Sequence, residues 1–204
     1  MSPAGSGDAA ICARRVRQIY DDDLTGAAGV LHVLAAWQPP PVNGRLSPLV
    51  ALTTGAAMPE SRTDPFVLRV ARARADAIIT TGRNLRAEPT LTHSLESRRT
   101  DTSIVRAWRT EIVGKSSPTA SVVLTRGAEV DLSHPLFHGD NRRTIFTSTA
   151  AARSLRAAAA AAGVEVIGVD RPGIHAAITW LREERDYATV CVEVGPSTGA
   201  ELYR

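Results

Sequence analysis

The stretch that decides the fold is Arg72-Ala73-Arg74-Ala75-Asp76-Ala77-Ile78-Ile79-Thr80-Thr81-Gly82-Arg83-Asn84-Leu85-Arg86-Ala87-Glu88-Pro89-Thr90-Leu91-Thr92. It predicts the end of a helix, a short apolar strand, and a polar loop that opens with glycine. The run from Ala77 to Ile79 is too short for a helix and too apolar for an exposed turn, so we predict a central strand covered on both faces. Ligands of such sheets bind at strand ends, where Gly82 lets a ligand approach the main chain. Arg83, Asn84 and Arg86 add donors suited to phosphate.

Composition limits the classes of protein that the chain can belong to. It has 204 residues, of which 44% are hydrophobic, enough to bury the core of one domain. The formal net charge is only +3, and the basic residues are scattered among acidic ones. Aromatic residues make up 4% of the chain, too few for a platform that stacks nucleic-acid bases. We therefore expect a small-molecule ligand and no nucleic-acid partner.

The cysteines and the N-terminal residues bear on the cellular compartment in which the protein is expected to work. Cys12 and Cys191 lie far apart, so neither a disulfide framework nor a zinc site is predicted, and a reducing, cytoplasmic environment fits best. No apolar run is long enough to cross a bilayer, so we expect no membrane contact. The first twenty residues lack the apolar segment of a secretory signal. The basic residues Arg14, Arg15 and Arg17 are also compatible with an organellar transit peptide.

An N-terminal arm is predicted over residues 1–41. Its first eight residues are small and polar and are expected to be disordered. Short helices are predicted at 11–20 and 29–37. The prolines Pro39-Pro40-Pro41 then lock an extended connection, so we place the main domain at residues 48–204. Its first core strand is predicted at 48–54, surfacing at Gly55.

Strands and helices alternate through the rest of the domain. A helix is predicted from Thr63, as the capping residue before Asp64 and Pro65, to about Ala75. This alternation predicts an α/β fold with a mostly parallel sheet and helices on both faces. The remaining predicted elements are strands at 120–125, 144–148, 164–169 and 189–194, helices at 150–162 and 173–184, and a loop at 131–141.

A second informative stretch is Cys191-Val192-Glu193-Val194-Gly195-Pro196-Ser197-Thr198-Gly199-Ala200. A buried strand brings Glu193 to its end, glycine turns the chain, and residues 196–198 open a helix whose free N–H groups attract an anion. One interpretation is a phosphate cradle. The other is that Gly-Pro-Ser serves only the geometry of the turn.

Together these stretches resemble the reductase domain of the bacterial riboflavin-biosynthesis enzymes, which has the dihydrofolate-reductase-like fold. That family shows an Arg-Ala-x-x-Asp-Ala-Ile junction, a glycine-led cofactor loop that ends in Pro-x-Leu-Thr, and a Val-Glu-x-Gly-Pro-Thr turn. Here the three motifs occupy residues 72–78, 82–92 and 192–197. The resemblance covers the chain from about Pro48, and we expect the chain to end before the family's last strands.

The resemblance implies an NADPH-dependent oxidoreductase that opens the ribose of a ribosylaminopyrimidine phosphate to a ribityl chain. In the substrate site, Arg72 would hold the phosphate, Leu91 would line the pocket, and Glu193 would meet the substrate. The nicotinamide supplies the hydride, so the protein would chiefly orient its ligands, and no catalytic residue or metal is assigned. The residues implied for NADPH binding are Gly55, Gly82, Asn84, Glu88, Gly195, Pro196, Ser197, Thr198 and Gly199.

Other functions stay open at this point. The predicted first strand lacks the Lys and Asp that the family has there, which favours a non-catalytic relative that keeps the fold as a binding or scaffolding domain. A dihydrofolate reductase is a third interpretation. His134 and His138 have the spacing of a metal pair, but Pro135 and the lack of a third ligand disfavour zinc. Ser197 lacks the Gly-x-Ser-x-Gly motif of a serine hydrolase.

Association is expected from the missing last strands. A sheet without them would have an open edge beside apolar side chains. We therefore expect the chain either to dimerise, with its N-terminal arm lying over the neighbour or over its own exposed edge, or to be unstable alone.

Overall fold

A computed structural model of the chain describes residues 7–26, 28–33, 36–37, 40–45, 50–51, 63–95 and 102–204. Short 3₁₀ turns lie at Pro135–Phe137 and Ala200–Tyr203. The helices and strands are, in chain order, α1 (Gly7–Tyr20), β1 (Gly29–His32), β2 (Ala36–Trp37), β3 (Val50–Ala51), α2 (Asp64–Arg74), β4 (Ala77–Thr81), α3 (Gly82–Ala87), α4 (Thr102–Glu111), β5 (Ala120–Leu124), β6 (Arg143–Ser148), α5 (Thr149–Ala161), β7 (Glu165–Val169), α6 (Ile174–Glu184), β8 (Thr189–Val192) and α7 (Pro196–Gly199).

Six of these strands form one parallel sheet in the order β1-β8-β4-β5-β6-β7. β4 pairs with β8 and β5, and β8 pairs with β1 and β4, so both are interior strands. Every residue of β4 and β8 is buried, which explains why both sequences consist of apolar residues and threonine and carry no charge. The predicted α/β fold with a parallel sheet is confirmed.

Helices pack against both faces of the sheet, as the alternation predicted. On one face, Ile79 and Val122 pack with Leu181 of α6. Successive strand residues point to opposite faces. Accordingly, Val123 packs on the other face with Leu155 of α5. One face of the sheet thus packs against α6, which connects β7 to β8. The other face packs against α5, which connects β6 to β7.

The N-terminal arm contains only one of its two predicted helices. α1 confirms the first, and it packs against α4. The helix predicted at 29–37 is wrong, because β1 pairs in parallel with β8 and β2 follows it. Four residues with two apolar side chains, Val30 and Leu31, carry too little periodicity to separate helix from strand, and pairing with β8 decides the outcome. β1 thus covers one edge of β8.

The predicted first core strand is described only at Val50 and Ala51. These two residues form β3, which pairs antiparallel with β2 outside the six-stranded sheet. The prediction of a core strand is therefore wrong for them, since β1 occupies the position beside β8. The other residues of the predicted strand, and Gly55, lie outside the described residues.

Two further predictions need correction. The loop predicted from Gly82 begins with a helix, α3, because the Thr81 hydroxyl accepts the Asn84 N–H at 3.2 Å and so caps a first turn. Thr63 lies before α2 as predicted, but its side chain makes no capping hydrogen bond. α4 was not predicted because it lies within a polar stretch, although Val105 and Trp108 form a buried stripe at helical spacing.

Candidate functional site

A cleft of about 730 Å³ lies at the carboxyl ends of β4 and β5. Because all strands of the sheet are parallel, their carboxyl ends meet at one edge, which is where ligands of such sheets bind. Four segments of the chain build its walls. They contribute Thr81, Gly82, Arg83 and Arg86 at and after the end of β4, Leu124, Thr125, Arg126, Gly127, Ala128 and Glu129 at and after the end of β5, Pro172 and Gly173 before α6, and Ser197, Thr198 and Glu201 near the C-terminus.

A smaller cleft of about 360 Å³ adjoins the first. The two share Gly82, Arg86 and Glu129. Most of the surface that lines the smaller cleft is apolar, so it suits a ring with few polar groups better than a free anion. Its other lining residues are Leu85, Pro89, Val130, Asp131, Ser133, His134 and Pro135.

The charge in the large cleft favours an anion. Arg83, Arg86 and Arg126 are exposed there, against the carboxylates of Glu129 and Glu201. A guanidinium can donate two parallel hydrogen bonds to a phosphate group. The eleven-residue helix α6 also begins at this cleft, and no side chain caps its N-terminus. Its first amides therefore add partial positive charge where an anion would lie.

Gly82 brings the main chain close to both clefts. A Cβ atom at this position would lie 3.3 Å from the Thr125 hydroxyl oxygen, closer than ordinary van der Waals contact. A side chain here would fill the gap between the ends of β4 and β5. The glycine thus keeps open a passage through which a ligand can approach the backbone.

Some of the residues predicted to bind the cofactor line the large cleft, and others face the interior of the protein. Gly82, Ser197 and Thr198 line the large cleft. Asn84 turns inward instead, because its amide donates to the main-chain oxygen of Glu193 at 2.9 Å and to the Thr80 hydroxyl at 3.2 Å. The Asn84 side chain therefore joins β4 to the end of β8.

The other predicted cofactor residues lie around short helices. Gly195 precedes α7 and Pro196 opens it. A Cβ atom at Gly199 would lie 2.8 Å from Cε1 of His32, so this glycine permits close packing against β1. Glu88 ends α3, and its main-chain oxygen lies 3.0 Å from His134 Nε2. None of these four residues lines either cleft.

Arg72 and Glu193, the predicted substrate residues, are bonded to each other. Arg72 Nε and Nη2 donate to the two carboxylate oxygens of Glu193, each at 2.6 Å. Nη1 donates to the main-chain oxygen of Thr92 at 2.9 Å. The side chains are only 9% and 12% exposed, and neither lines a described cleft. Leu91, the third predicted substrate residue, is half-buried and packs beside the α5 face of the sheet.

The pair is charged despite its burial. Burial alone would raise the pKa of Glu193 and lower the pKa of Arg72, because it disfavours the charged form of each. The hydrogen bonds and opposite charge of the partner outweigh burial, so the pKa of Glu193 lies below its ordinary value and that of Arg72 above. Each side-chain nitrogen of Arg72 already donates a hydrogen bond to Glu193 or Thr92. Arg72 must therefore give up one of these bonds before it can bind a ligand.

A buried polar cluster near this pair was missed from the sequence. His93 Nδ1 lies 2.9 Å from the Ser121 hydroxyl, which also accepts a hydrogen bond from Asn141 at 2.7 Å. Nε2 of His93 is buried and has no hydrogen-bond partner among the described residues. Burial lowers the pKa of His93 to about 3, so the ring is neutral at physiological pH. A single histidine after a loop gives no periodic signal from which this environment could be inferred.

The remaining candidates for reactive or metal-binding groups have structural partners. His134 and His138 lie within hydrogen-bond distance of the main-chain oxygens of Glu88 and Ser133. Burial raises the pKa of the Cys191 thiol. Across residues 63–95, 102–204 and the shorter described segments, no three His, Cys, Asp or Glu side chains form a group that could hold a metal ion. None of the helices in the described part of the chain combines the length and apolarity of a transmembrane span.

Part of the wall of the large cleft was not predicted from the sequence. Arg126 and Gly127 follow β5, Gly173 precedes α6, and Glu201 lies in the C-terminal 3₁₀ turn. The rule that placed Gly82 at a strand end would have found the first two, since Thr125-Arg126-Gly127 follows another buried strand. Glu201 gives no such signal.

Comparison with known proteins shows a likeness in fold. No model of a known protein family matches the chain, and no curated protein matches its sequence. A solved structure of Acinetobacter baumannii RibD, form 2, matches with a TM-score of 0.53 and 18% identity over 95% of this chain and 48% of that one. Form 1 of the same protein matches with a TM-score of 0.54 and 14% identity over 93% and 46%.

The chain therefore spans about half the length of the RibD chains that it matches. At these identities the likeness shows the fold. The RibD-like α/β fold that the two motif stretches predicted is confirmed at that level.

Proposed function

We propose that the chain is an NADPH-dependent reductase that acts on a ribosylaminopyrimidine phosphate. The observation that supports this most is the large cleft with three arginines at the carboxyl edge of a RibD-like sheet. Its volume of about 730 Å³ lies within the range of small-molecule and cofactor sites. Assembly into a homodimer and a cytoplasmic location are also proposed, from the family resemblance and the composition.

The residues of the cleft fit the cofactor. NADPH carries a pyrophosphate and a 2′-phosphate, and Arg83, Arg86 and Arg126 supply donors for such groups. Gly82 would let the pyrophosphate approach the main chain, and Ser197 and Thr198 would add hydroxyl donors from the opposite wall. When bound, the nicotinamide would supply the hydride, so these residues would hold and orient it.

A valine at Gly82 should abolish most NADPH binding. Its Cβ would already contact the Thr125 hydroxyl, and the two methyl groups would project into the space that joins the two clefts. We expect Gly82→Val to weaken NADPH binding by tenfold or more, a loss of about 1.4 kcal/mol. The measurement is titration by cofactor fluorescence, with the melting temperature recorded for each variant.

Gly26→Val is the matched control, because a Cβ atom at Gly26 would meet nothing within 4 Å and the residue lines neither cleft. Wild-type affinity in Gly82→Val would show that NADPH does not pass this glycine. A large loss in Gly26→Val would show that valine acts through the fold.

A second candidate function is favoured by the closed ion pair. Arg72 can hold a substrate phosphate only if it releases Glu193 or Thr92, and both residues of the pair are almost fully buried. This favours a relative that keeps the fold as a binding domain without catalysis. The missing family Lys and Asp of the first strand agree with that reading.

Turnover separates the two functions. The chain is mixed with NADPH and 5-amino-6-(5-phosphoribosylamino)uracil, and the loss of NADPH absorbance is followed. Oxidation that requires the pyrimidine supports the reductase. Saturable NADPH binding without oxidation supports the non-catalytic domain. No NADPH binding contradicts the reductase and agrees with a domain that keeps the fold without the chemistry.

A further inference from the structure

An arginine and a glutamate of opposite charge face each other in the large cleft. Arg126 follows β5 and Glu201 lies in the 3₁₀ turn after α7, and both line the cleft. Arg126 Nη2 lies 3.8 Å from Glu201 Oε1. Their side chains are 83% and 36% exposed, so a ligand in the cleft can reach either of them.

The turn that holds Glu201 is fixed at two other points. His175 Nε2, at the start of α6, lies 2.7 Å from the main-chain oxygen of Glu201. The Tyr203 hydroxyl lies 2.9 Å from Nδ1 of His32 on β1. These contacts hold the main chain of the turn in place and so keep Glu201 in the wall of the cleft near Arg126.

The two side chains recognise opposite features of a dinucleotide. A guanidinium donates a pair of hydrogen bonds to a phosphate, and arginine is the residue that accommodates the 2′-phosphate in NADP sites. A carboxylate repels phosphate but accepts hydrogen bonds from the ribose hydroxyls of the unphosphorylated dinucleotide. The affinity of the pair for a dinucleotide should therefore depend on whether the ribose carries the 2′-phosphate.

We propose that Arg126 and Glu201 set the preference of the cleft between phosphorylated and unphosphorylated dinucleotides. Arg126 binds the 2′-phosphate, and Glu201 weakens that binding by occupying Arg126 and repelling the phosphate. This inference rests on the proposed function of the cleft. Opposite unit charges about 4 Å apart in water attract each other by about 1 kcal/mol. An energy of that size changes a binding constant roughly fivefold.

The test compares two cofactors on four proteins. Dissociation constants for NADPH and NADH are measured by fluorescence titration on the wild type, Glu201→Gln, Arg126→Gln and Glu184→Gln. Glu184 is an exposed carboxylate of α6 that does not line the cleft, so it controls for the loss of one negative charge. We expect Glu201→Gln to bind NADPH about fivefold more tightly and NADH with unchanged or weaker affinity.

Arg126→Gln should weaken NADPH binding by about tenfold or more and leave NADH binding within about twofold of the wild type. The gain in Glu201→Gln should shrink as salt is added, because both charges are exposed to solvent. Glu184→Gln should match the wild type.

Several outcomes overturn the assignment. Exposed ion pairs often contribute little, and Glu201→Gln with unchanged NADPH affinity would place this one in that class. Equal changes for NADPH and NADH, or the same gain in Glu184→Gln, would show that the pair does not read the 2′-phosphate. In each case the wild type still binds NADPH, so the proposed function stands. A wild type that binds neither dinucleotide contradicts the proposed function and this inference with it.

Discussion

Replacing Glu193 with alanine should lower the free energy of unfolding by about 3–5 kcal/mol, the usual cost of leaving one member of a buried ion pair alone. In the native chain Glu193 accepts two hydrogen bonds from Arg72, and both side chains are almost fully buried. Without the carboxylate, the guanidinium keeps its charge in a low-dielectric environment and retains only the Thr92 main-chain oxygen as an acceptor.

A double-mutant comparison separates this cost from the loss of packing. The paired substitution Arg72→Met with Glu193→Leu removes both charges, and we expect it to be less destabilising than Glu193→Ala alone. Urea unfolding of the three proteins gives the free energies. A loss of less than about 1 kcal/mol in Glu193→Ala, the value typical of exposed pairs, would contradict the buried pair.

Acid should destabilise the chain through His93 before it protonates the carboxylates. Burial lowers the pKa of His93 from its ordinary value of 6.5 to about 3. Between these values the unfolded chain binds a proton on this ring and the folded chain does not, so stability is full above pH 6.5 and falls as the pH falls. The largest slope from one such group is about 1.4 kcal/mol per pH unit.

Glu193 contributes in the same direction but at lower pH. Its pKa is lowered from 4.5, so its contribution is lost only as the pH falls below that value. The window from about pH 6.5 to about pH 5 therefore isolates the histidines. His32, whose pKa burial also lowers, adds to the slope there.

The measurement is the free energy of unfolding in urea across that window, for the wild type, His93→Gln and His138→Gln. His93→Gln should lose most of the slope, while the slope that comes from His32 persists. His138 is an exposed histidine and serves as the matched control for the loss of an imidazole ring. An identical pH dependence in the wild type and His93→Gln would show that His93 is not buried in its neutral form.

The sequence predicted the interior of the sheet better than the short strands near the N-terminus. β4 and β8 are covered on both faces, so their apolar runs are continuous and few other structures fit them. β1 and β3 are short strands of four and two residues whose pairing depends on distant partners. Because no local pattern shows which partner such a strand pairs with, β1 was predicted as a helix and β3 was placed in the core sheet.

Some residues of the candidate site could likewise be predicted from the sequence, and others could not. Gly82, Ser197 and Thr198 lie at the cleft because strand ends position them, and strand ends can be found in a sequence. The pairing of Arg72 with Glu193 joins side chains far apart in sequence and depends on how two elements pack. The same is true of Arg126 and Glu201, whose contact becomes visible only when the C-terminal turn is placed beside β5.

The central claim is that the cleft at the ends of β4 and β5 binds NADPH. Isothermal titration calorimetry of NADPH into the chain at low salt tests it most directly. We predict saturable binding of one NADPH per chain with a dissociation constant below about 1 mM. The affinity should fall as salt is added, because exposed arginines supply the donors. A titration that shows no saturable heat at millimolar NADPH would contradict the account.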